Sequence, residues 1–157
     1  MIFVVVAALA AVVSVTSAGA GATQTTFTTT AAFDYNQPFT PEKLWVSDGI
    51  VHWANAPLSA PFVSGPFAGG GAVSIVSDGN FDLTTFESTS HGTFVIETPL
   101  GTWKGRYADS NKGGVLSGNA VGYSSDATML KLKYSATGPF VGVVIITYEA
   151  TIIDPPS

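Results

Sequence analysis

The chain of 157 residues lacks cysteine and is poor in charged side chains. Without cysteine it can form no disulfide framework, thiolate nucleophile or cysteine-ligated zinc or iron–sulfur centre. Charged residues make up 11% of the chain, whereas about 25% is typical of a soluble domain. The six Lys and Arg residues are scattered and are outnumbered by 11 acidic residues. Because nucleic-acid binding requires a clustered basic face, we expect no nucleic-acid partner.

The chain is rich instead in apolar residues, at 46%, with 17 glycines and many threonines and serines. Disordered chains have the opposite composition, with low hydrophobicity and high charge. A chain of this length forms one domain that can bury a core without metal or disulfide support. Such a composition is typical of exported β-proteins.

The N-terminus resembles a secretory leader. Residues 2–15 are almost entirely apolar, and small residues follow over 16–22. Two small-x-small sequences suit signal peptidase, so we expect a signal peptide at 1–20 that is cleaved after Ala20 or Ala22. The mature protein would then be secreted, periplasmic or at the cell surface, without membrane attachment. No Lys or Arg precedes the apolar run, which leaves a retained N-terminal anchor helix, as in pilin-like surface subunits, as the alternative.

Beyond the leader, alternation of apolar and polar residues with a period of two recurs, and helical spacing does not. Turn residues recur about every ten positions, which is the pattern of a hairpin meander. We expect turns at Asp48-Gly49 and Asp78-Gly79, and loops at Ala56–Pro61 and Asp109–Gly114. The predicted strands are 24–33, 44–47, 50–54, 72–76, 80–85, 92–98, 102–107, 115–123, 130–136 and 142–153.

These features predict an all-β fold, an antiparallel closed barrel of about eight strands without a core helix. Closure leaves no open strand edge to aggregate. The barrel domain would span residues 23–154, followed by a tail at 155–157. Alternation also sorts the faces: Trp103 and Tyr107 share one side of their strand, opposite Lys104 and Arg106.

Four short segments carry a resemblance to a known group of proteins: Trp45–Gly49 with His52, Asn80–Leu83, His91–Phe94 and Gly101–Gly105. Together they resemble exported microbial proteins that are similar to the allene oxide cyclase-like barrels, a group that includes plant dirigent proteins. The resemblance implies an eight-stranded antiparallel barrel over about residues 45–154, and it implies this fold more than an activity. The plant enzymes of the group cyclise or couple small hydrophobic molecules in the barrel mouth. Their catalytic residues do not match this chain position by position, so none is transferred.

The candidate ligand-binding residues are aromatic, imidazole and carboxyl side chains that could meet at one end of the barrel. Aromatics of this kind either fill the barrel as plain core or line a partly open mouth. An open mouth would bind a small apolar or aromatic ligand, whereas exposed tryptophans would stack on cell-wall sugars. The candidates are Trp45, His52, Trp53, His91, Glu97, Trp103 and Tyr107.

Other chemistry finds little support in the residue pattern. His52, His91 and Glu97 are residue types that could bind a metal, but we expect no metal or other cofactor. No Gly-x-Ser-x-Gly elbow occurs, which disfavours a serine hydrolase. Glu87 and Glu97 are the carboxylates that could flank a glycosidase cleft.

The sequence therefore predicts a non-catalytic ligand-binding or structural module. A small-molecule isomerase or cyclase acting in the barrel mouth is one alternative, and a surface-assembly subunit is another.

Overall fold

The computed structural model describes residues 13–18 and 21–156, and these residues form ten β-strands. Most of the predicted leader at 1–20 lies outside the described residues, and so does most of the anchor helix of the alternative interpretation. The part of this segment that the structure describes contains a short strand at 14–18. The strands are β1 (Ser14–Ala18), β2 (Ala22–Asp34), β3 (Lys43–Ser47), β4 (Ile50–Ser64), β5 (Ala72–Asp82), β6 (Ser88–Thr98), β7 (Gly101–Lys112), β8 (Val115–Tyr123), β9 (Met129–Thr137) and β10 (Val143–Ile153).

Eight of these strands close into an antiparallel barrel, as predicted. From β4 to β10 each strand pairs with its neighbour in sequence, and β10 then pairs with β2 along nearly its whole length. The ring closes where β2 meets β4, at the pairs Thr30–Ser64 and Ala31–Phe62. The additional strands β1 and β3 pair with the outer parts of β2 and β4. No described residue belongs to a helix that is long and apolar enough to cross a membrane.

The expected loop at Ala56–Pro61 is wrong, because these residues are the middle of β4. Proline removes a backbone donor and is tolerated in a strand only where that donor is not needed. Between Ala54 and Phe62, β4 pairs with β5 alone. Pro57 and Pro61 therefore occupy a stretch with one unpaired edge, where the missing N–H groups cost no ladder hydrogen bond.

The expected turn at Asp78-Gly79 and the expected loop at Asp109–Gly114 are also wrong for most of their residues. β5 continues through Gly79, which pairs with both Trp53 and Ser90. β7 continues to Lys112, and the hairpin turn is confined to Gly113-Gly114, both with positive φ. Positive φ at both central residues is the requirement of a type I′ turn. Pairing with two neighbouring strands thus overrides the local turn tendency.

Phe67 closes one end of the barrel. It lies in the loop between β4 and β5 and is completely buried. Its ring packs at 5.0 Å from Phe27, 5.1 Å from Phe62 and 5.8 Å from Trp103, measured between ring centroids. The contacts with Phe27 and Phe62 are edge-on, and the contact with Trp103 is tilted. Aromatic packing of this kind adds to the hydrophobic gain of burial. The opposite end, where β5 and β7 finish, carries no equivalent aromatic plug among the described residues.

Candidate ligand-binding cavity

A cavity of about 340 Å³ occupies the barrel interior toward the end opposite Phe67. Inward-facing residues of all eight barrel strands line it, and its rim consists of loop residues that are exposed or half-buried. This volume lies within the range of small-molecule sites in proteins. The rim residues are Tyr35, Gln37, Phe39 and Phe140.

Aromatic side chains surround the open end. Phe39 packs edge-on against Trp53 at 5.7 Å, and Tyr35 packs edge-on against Phe140 at 5.9 Å. Tyr35 and Phe39 are exposed. Exposed aromatics at the entrance of a concave site are typical of a surface that makes contact with a ligand.

Small residues on β8 make room for large ones inside the barrel. A Cβ on Gly118 would lie 2.3 Å from the Tyr134 ring, and one on Gly122 would lie 2.7 Å from the Phe94 ring. Ala120 lies between these glycines and lines the cavity. Alternation of small and large side chains across facing strands therefore shapes an interior that is only partly filled.

A polar stripe runs along the inner face of β7 at alternate positions, Tyr107, Asp109 and Asn111. Asp109 accepts a hydrogen bond from the Ser90 hydroxyl at 2.6 Å on one carboxylate oxygen. It accepts another from the Tyr134 hydroxyl at 3.0 Å on the other. Burial raises the pKa of Asp109 above its ordinary value, and the two hydroxyls only partly offset this rise.

Two polar atoms of this stripe are buried without a hydrogen-bond partner. They are the Tyr107 hydroxyl oxygen and Asn111 Oδ1. Ser77 and Ser90 lie near the Tyr107 hydroxyl, yet neither hydrogen-bonds to it. Buried polar atoms in native proteins nearly always have partners, and leaving one unsatisfied costs about 1–3 kcal/mol. Both atoms belong to cavity-lining residues but are themselves sealed from the cavity, so a bound molecule would reach them only if neighbouring side chains moved.

The tyrosines around Asp109 remain protonated at physiological pH. Tyr35 is 39% exposed as a whole residue, but burial of its hydroxyl end raises its pKa to about 12. Burial also raises the pKa values of Tyr107, Tyr134 and Tyr148. These residues therefore line the cavity as neutral groups. Asp109 is the one carboxyl group in the deep part of the described cavity, whereas the second lining carboxyl, Asp34, lies at the rim.

Two of the seven candidate residues line this cavity. Trp53 lies near the mouth and donates a hydrogen bond from its indole nitrogen to the Ser77 hydroxyl at 3.1 Å. Tyr107 forms part of the polar stripe. Trp103 is buried instead at the closed end against Phe67, so the tryptophans do not converge at one end as expected.

The other four candidates lie outside the barrel interior. Trp45 on β3 is 48% exposed and stacks on His52 at 5.1 Å, and the Ser47 hydroxyl contacts that imidazole at 3.0 Å. His91 and Glu97 are exposed residues of β6, at positions that alternate with the inward-facing ones.

The described residues form neither the metal site nor the glycosidase cleft that the residue types suggested. Within residues 13–18 and 21–156, no group of three or more His, Cys, Asp or Glu side chains could hold a metal ion. Glu87 lies in the exposed turn before β6, and Glu97 is exposed near the far end of that strand. The two glutamates therefore do not face each other across the barrel cavity.

Asp109 is the functional candidate that the sequence analysis missed. The prediction placed it in a polar loop because Asp, Ser, Asn, Lys and two glycines follow one another there. The signal that identifies it is the alternation Trp103, Gly105, Tyr107, which continues without interruption to Asp109 and Asn111.

We expect Asp109→Asn to stabilise the protein at neutral and alkaline pH. Because the folded-state pKa is raised, the folded chain binds this proton more tightly than the unfolded chain. The resulting stability is present below the ordinary pKa of 3.8 and is lost as pH rises through the folded-state pKa. Asparagine carries no charge and avoids this loss, so thermal melting at pH 8 should occur about 4 °C higher, which corresponds to about 1 kcal/mol.

The matched control is Glu149→Gln, which removes the same charge from the outer face of β10. Its melting temperature should follow that of the wild type within about 2 °C at every pH. If the difference in melting temperature between Asp109→Asn and the wild type does not grow from pH 3 to pH 8, the Asp109 charge is not buried.

Fold and cavity together define the class of protein, a closed eight-stranded antiparallel β-barrel with a ligand-sized interior open at one end. No known protein family, curated protein or solved structure matches the chain.

Proposed function

We propose that the protein binds a small, largely apolar molecule inside the barrel. The observation that carries this proposal is the aromatic-walled cavity of about 340 Å³, which also holds the Asp109 carboxyl group. Barrel cores filled only for stability pack to high density, whereas this interior leaves room for a small molecule. A ligand with an apolar body and a polar group would contact both the aromatic walls and Asp109.

The proposal is tested with a neutral fluorescent probe, N-phenylnaphthylamine, whose emission rises on entering an apolar cavity. Ala120→Phe places a ring inside the cavity from β8, and we expect it to weaken probe binding at least about tenfold. Val121→Phe is the matched control, because Val121 is the next residue and faces outward. It should bind the probe within about twofold of wild type.

Equal probe binding by wild type and Ala120→Phe would overturn the proposal, provided that circular dichroism shows both to be folded. Probe binding that is lost in both phenylalanine variants would overturn it as well, since that result would place the probe on a general surface. Native mass spectrometry of the purified wild-type chain supplies a second measurement, in which one bound molecule per chain is expected.

A second candidate, an isomerase or cyclase, is favoured by Asp109, since a buried carboxyl group with a raised pKa can transfer protons within an apolar cavity. Under this alternative, Asp109→Asn would leave binding of the molecule recovered from the wild type intact and abolish its conversion. Chromatographic comparison of the molecule before and after incubation with each protein distinguishes conversion from simple binding. The resemblance to allene oxide cyclase-like barrels stays a prediction.

We also propose that the protein acts outside the cytoplasm, on the strength of the apolar leader and its small-residue cleavage sequences. Cleavage after Ala20 or Ala22 would remove β1 but leave the register of β2 with β10, which runs from Gln24 to Asp34. The intact mass of the exported protein should therefore correspond to a chain that starts at Gly21 or Thr23. A mass that includes Met1 would contradict export by cleavage and would favour the anchored surface subunit.

A further inference from the structure

We infer that the cavity selects protonated amines with an apolar or aromatic body, and that Asp109 pairs with the ammonium group. This inference rests on the proposed binding function and adds the chemical class of the ligand. It is carried by the charge of the lining, by the unused acceptor capacity of the Asp109 carboxylate and by the aromatic walls.

The charge of the cavity lining is entirely of one sign. Two carboxyl groups line it, Asp109 inside and Asp34 at the rim, and no Lys, Arg or His side chain of the described residues does. All six basic side chains of the chain lie within the described residues and are exposed. An anionic ligand would therefore meet no cation inside the barrel, whereas a cationic ligand would find a partner for its charge.

The Asp109 carboxylate has acceptor capacity left for an ammonium group. An ionised carboxylate can accept about four hydrogen bonds, and Asp109 accepts two from protein side chains, those of Ser90 and Tyr134. An ammonium group has three donors and no acceptor. It could therefore donate to the lone pairs of Asp109 that the protein leaves free.

The walls of the cavity suit a cation with an apolar body. Phe94, Tyr148 and Phe33 line the interior, and Trp53 and Phe39 flank its mouth. Aromatic faces attract a cation electrostatically, in addition to the gain from burying apolar area. A neutral alcohol of the same shape would gain the apolar contacts but would leave the Asp109 charge without a counter-ion.

The test compares phenethylamine with phenethyl alcohol, two molecules that differ only in the charged group, by calorimetric titration at pH 7. We expect the wild type to bind the amine at least about tenfold more tightly than the alcohol. Asp109→Asn should bring the two affinities within about threefold of each other, mainly by weakening amine binding. The control Glu149→Gln removes a negative charge from the outer wall and should keep the wild-type preference.

The results of these titrations distinguish the proposed binding function from the inferred preference for amines. If the neutral fluorescent probe enters the cavity but wild type binds amine and alcohol equally, the amine inference is wrong and the binding function stands. If the preference for amine persists in Asp109→Asn, pairing with Asp109 is wrong. If neither the probe nor either phenethyl compound binds, the binding function itself fails.

The affinity for the amine should rise with pH as Asp109 loses its proton, because only the carboxylate can pair with an ammonium. Asp109 is faced by Ser90 from β6, Tyr134 from β9, Tyr107 on its own strand, Tyr148 from β10 and Tyr35 from the rim. None of these groups carries a charge below pH 9. Burial raises the pKa of Asp109, so the increase should lie at higher pH than an exposed aspartate would give. A flat profile between pH 4 and pH 8 would contradict the pairing.

Discussion

Replacing Phe67 with alanine should lower the free energy of unfolding by about 3–5 kcal/mol. Phe67 is completely buried and contacts the rings of Phe27, Phe62 and Trp103. It lies in a loop, so alanine would leave three aromatic rings without their common partner and a cavity that the surrounding strands can fill only in part. Chemical denaturation of wild type and variant measures the difference directly.

Phe86→Ala is the matched control, since Phe86 also lies between strands but is 69% exposed. It should change the free energy of unfolding by no more than about 0.5 kcal/mol. A loss below about 1 kcal/mol for Phe67→Ala would show that the Phe67 ring does not close the barrel.

Gly118→Ala should destabilise the protein by about 1–3 kcal/mol and should also weaken binding of the neutral probe. The added Cβ would lie 2.3 Å from the Tyr134 ring, so the ring must move. Overpacking of a core typically costs energy of this size. Displacement of Tyr134 also breaks its hydrogen bond to Asp109 at 3.0 Å, which couples core packing to the polar stripe.

Ser117→Ala is the control for this change, because Ser117 is the adjacent residue on the exposed face of β8. Thermal melting and probe titration of both variants would separate a local steric effect from a general effect on the strand. A Gly118→Ala variant with wild-type stability and binding would contradict the packing of Tyr134 against β8.

The overall architecture is predictable from the sequence because it depends on local alternation. β8 begins and ends where the alternation of Val115–Tyr123 places it. The inward position of Trp103 and Tyr107 on β7 follows from the same kind of pattern. Alternation reports which face a side chain occupies, and in a barrel one face is always the interior.

The candidate site is much less predictable, because it depends on contacts between distant parts of the chain. Asp109 lies in a segment of turn-forming residues, and only the pairing of β7 with β6 and β8 shows that the segment is a strand. Phe67 lies in a loop of glycine and proline with no period that marks it as buried. The position of Trp103 at the closed end and Trp53 at the mouth likewise depends on the direction in which each strand runs.

The most direct test of the central claim is a crystal structure of the protein soaked with phenethylamine. We expect one molecule inside the barrel, with its ring among the aromatic side chains and its nitrogen within hydrogen-bonding distance of the Asp109 carboxylate. A barrel interior filled by the protein's own side chains, or phenethylamine bound only on the outer surface, would contradict it.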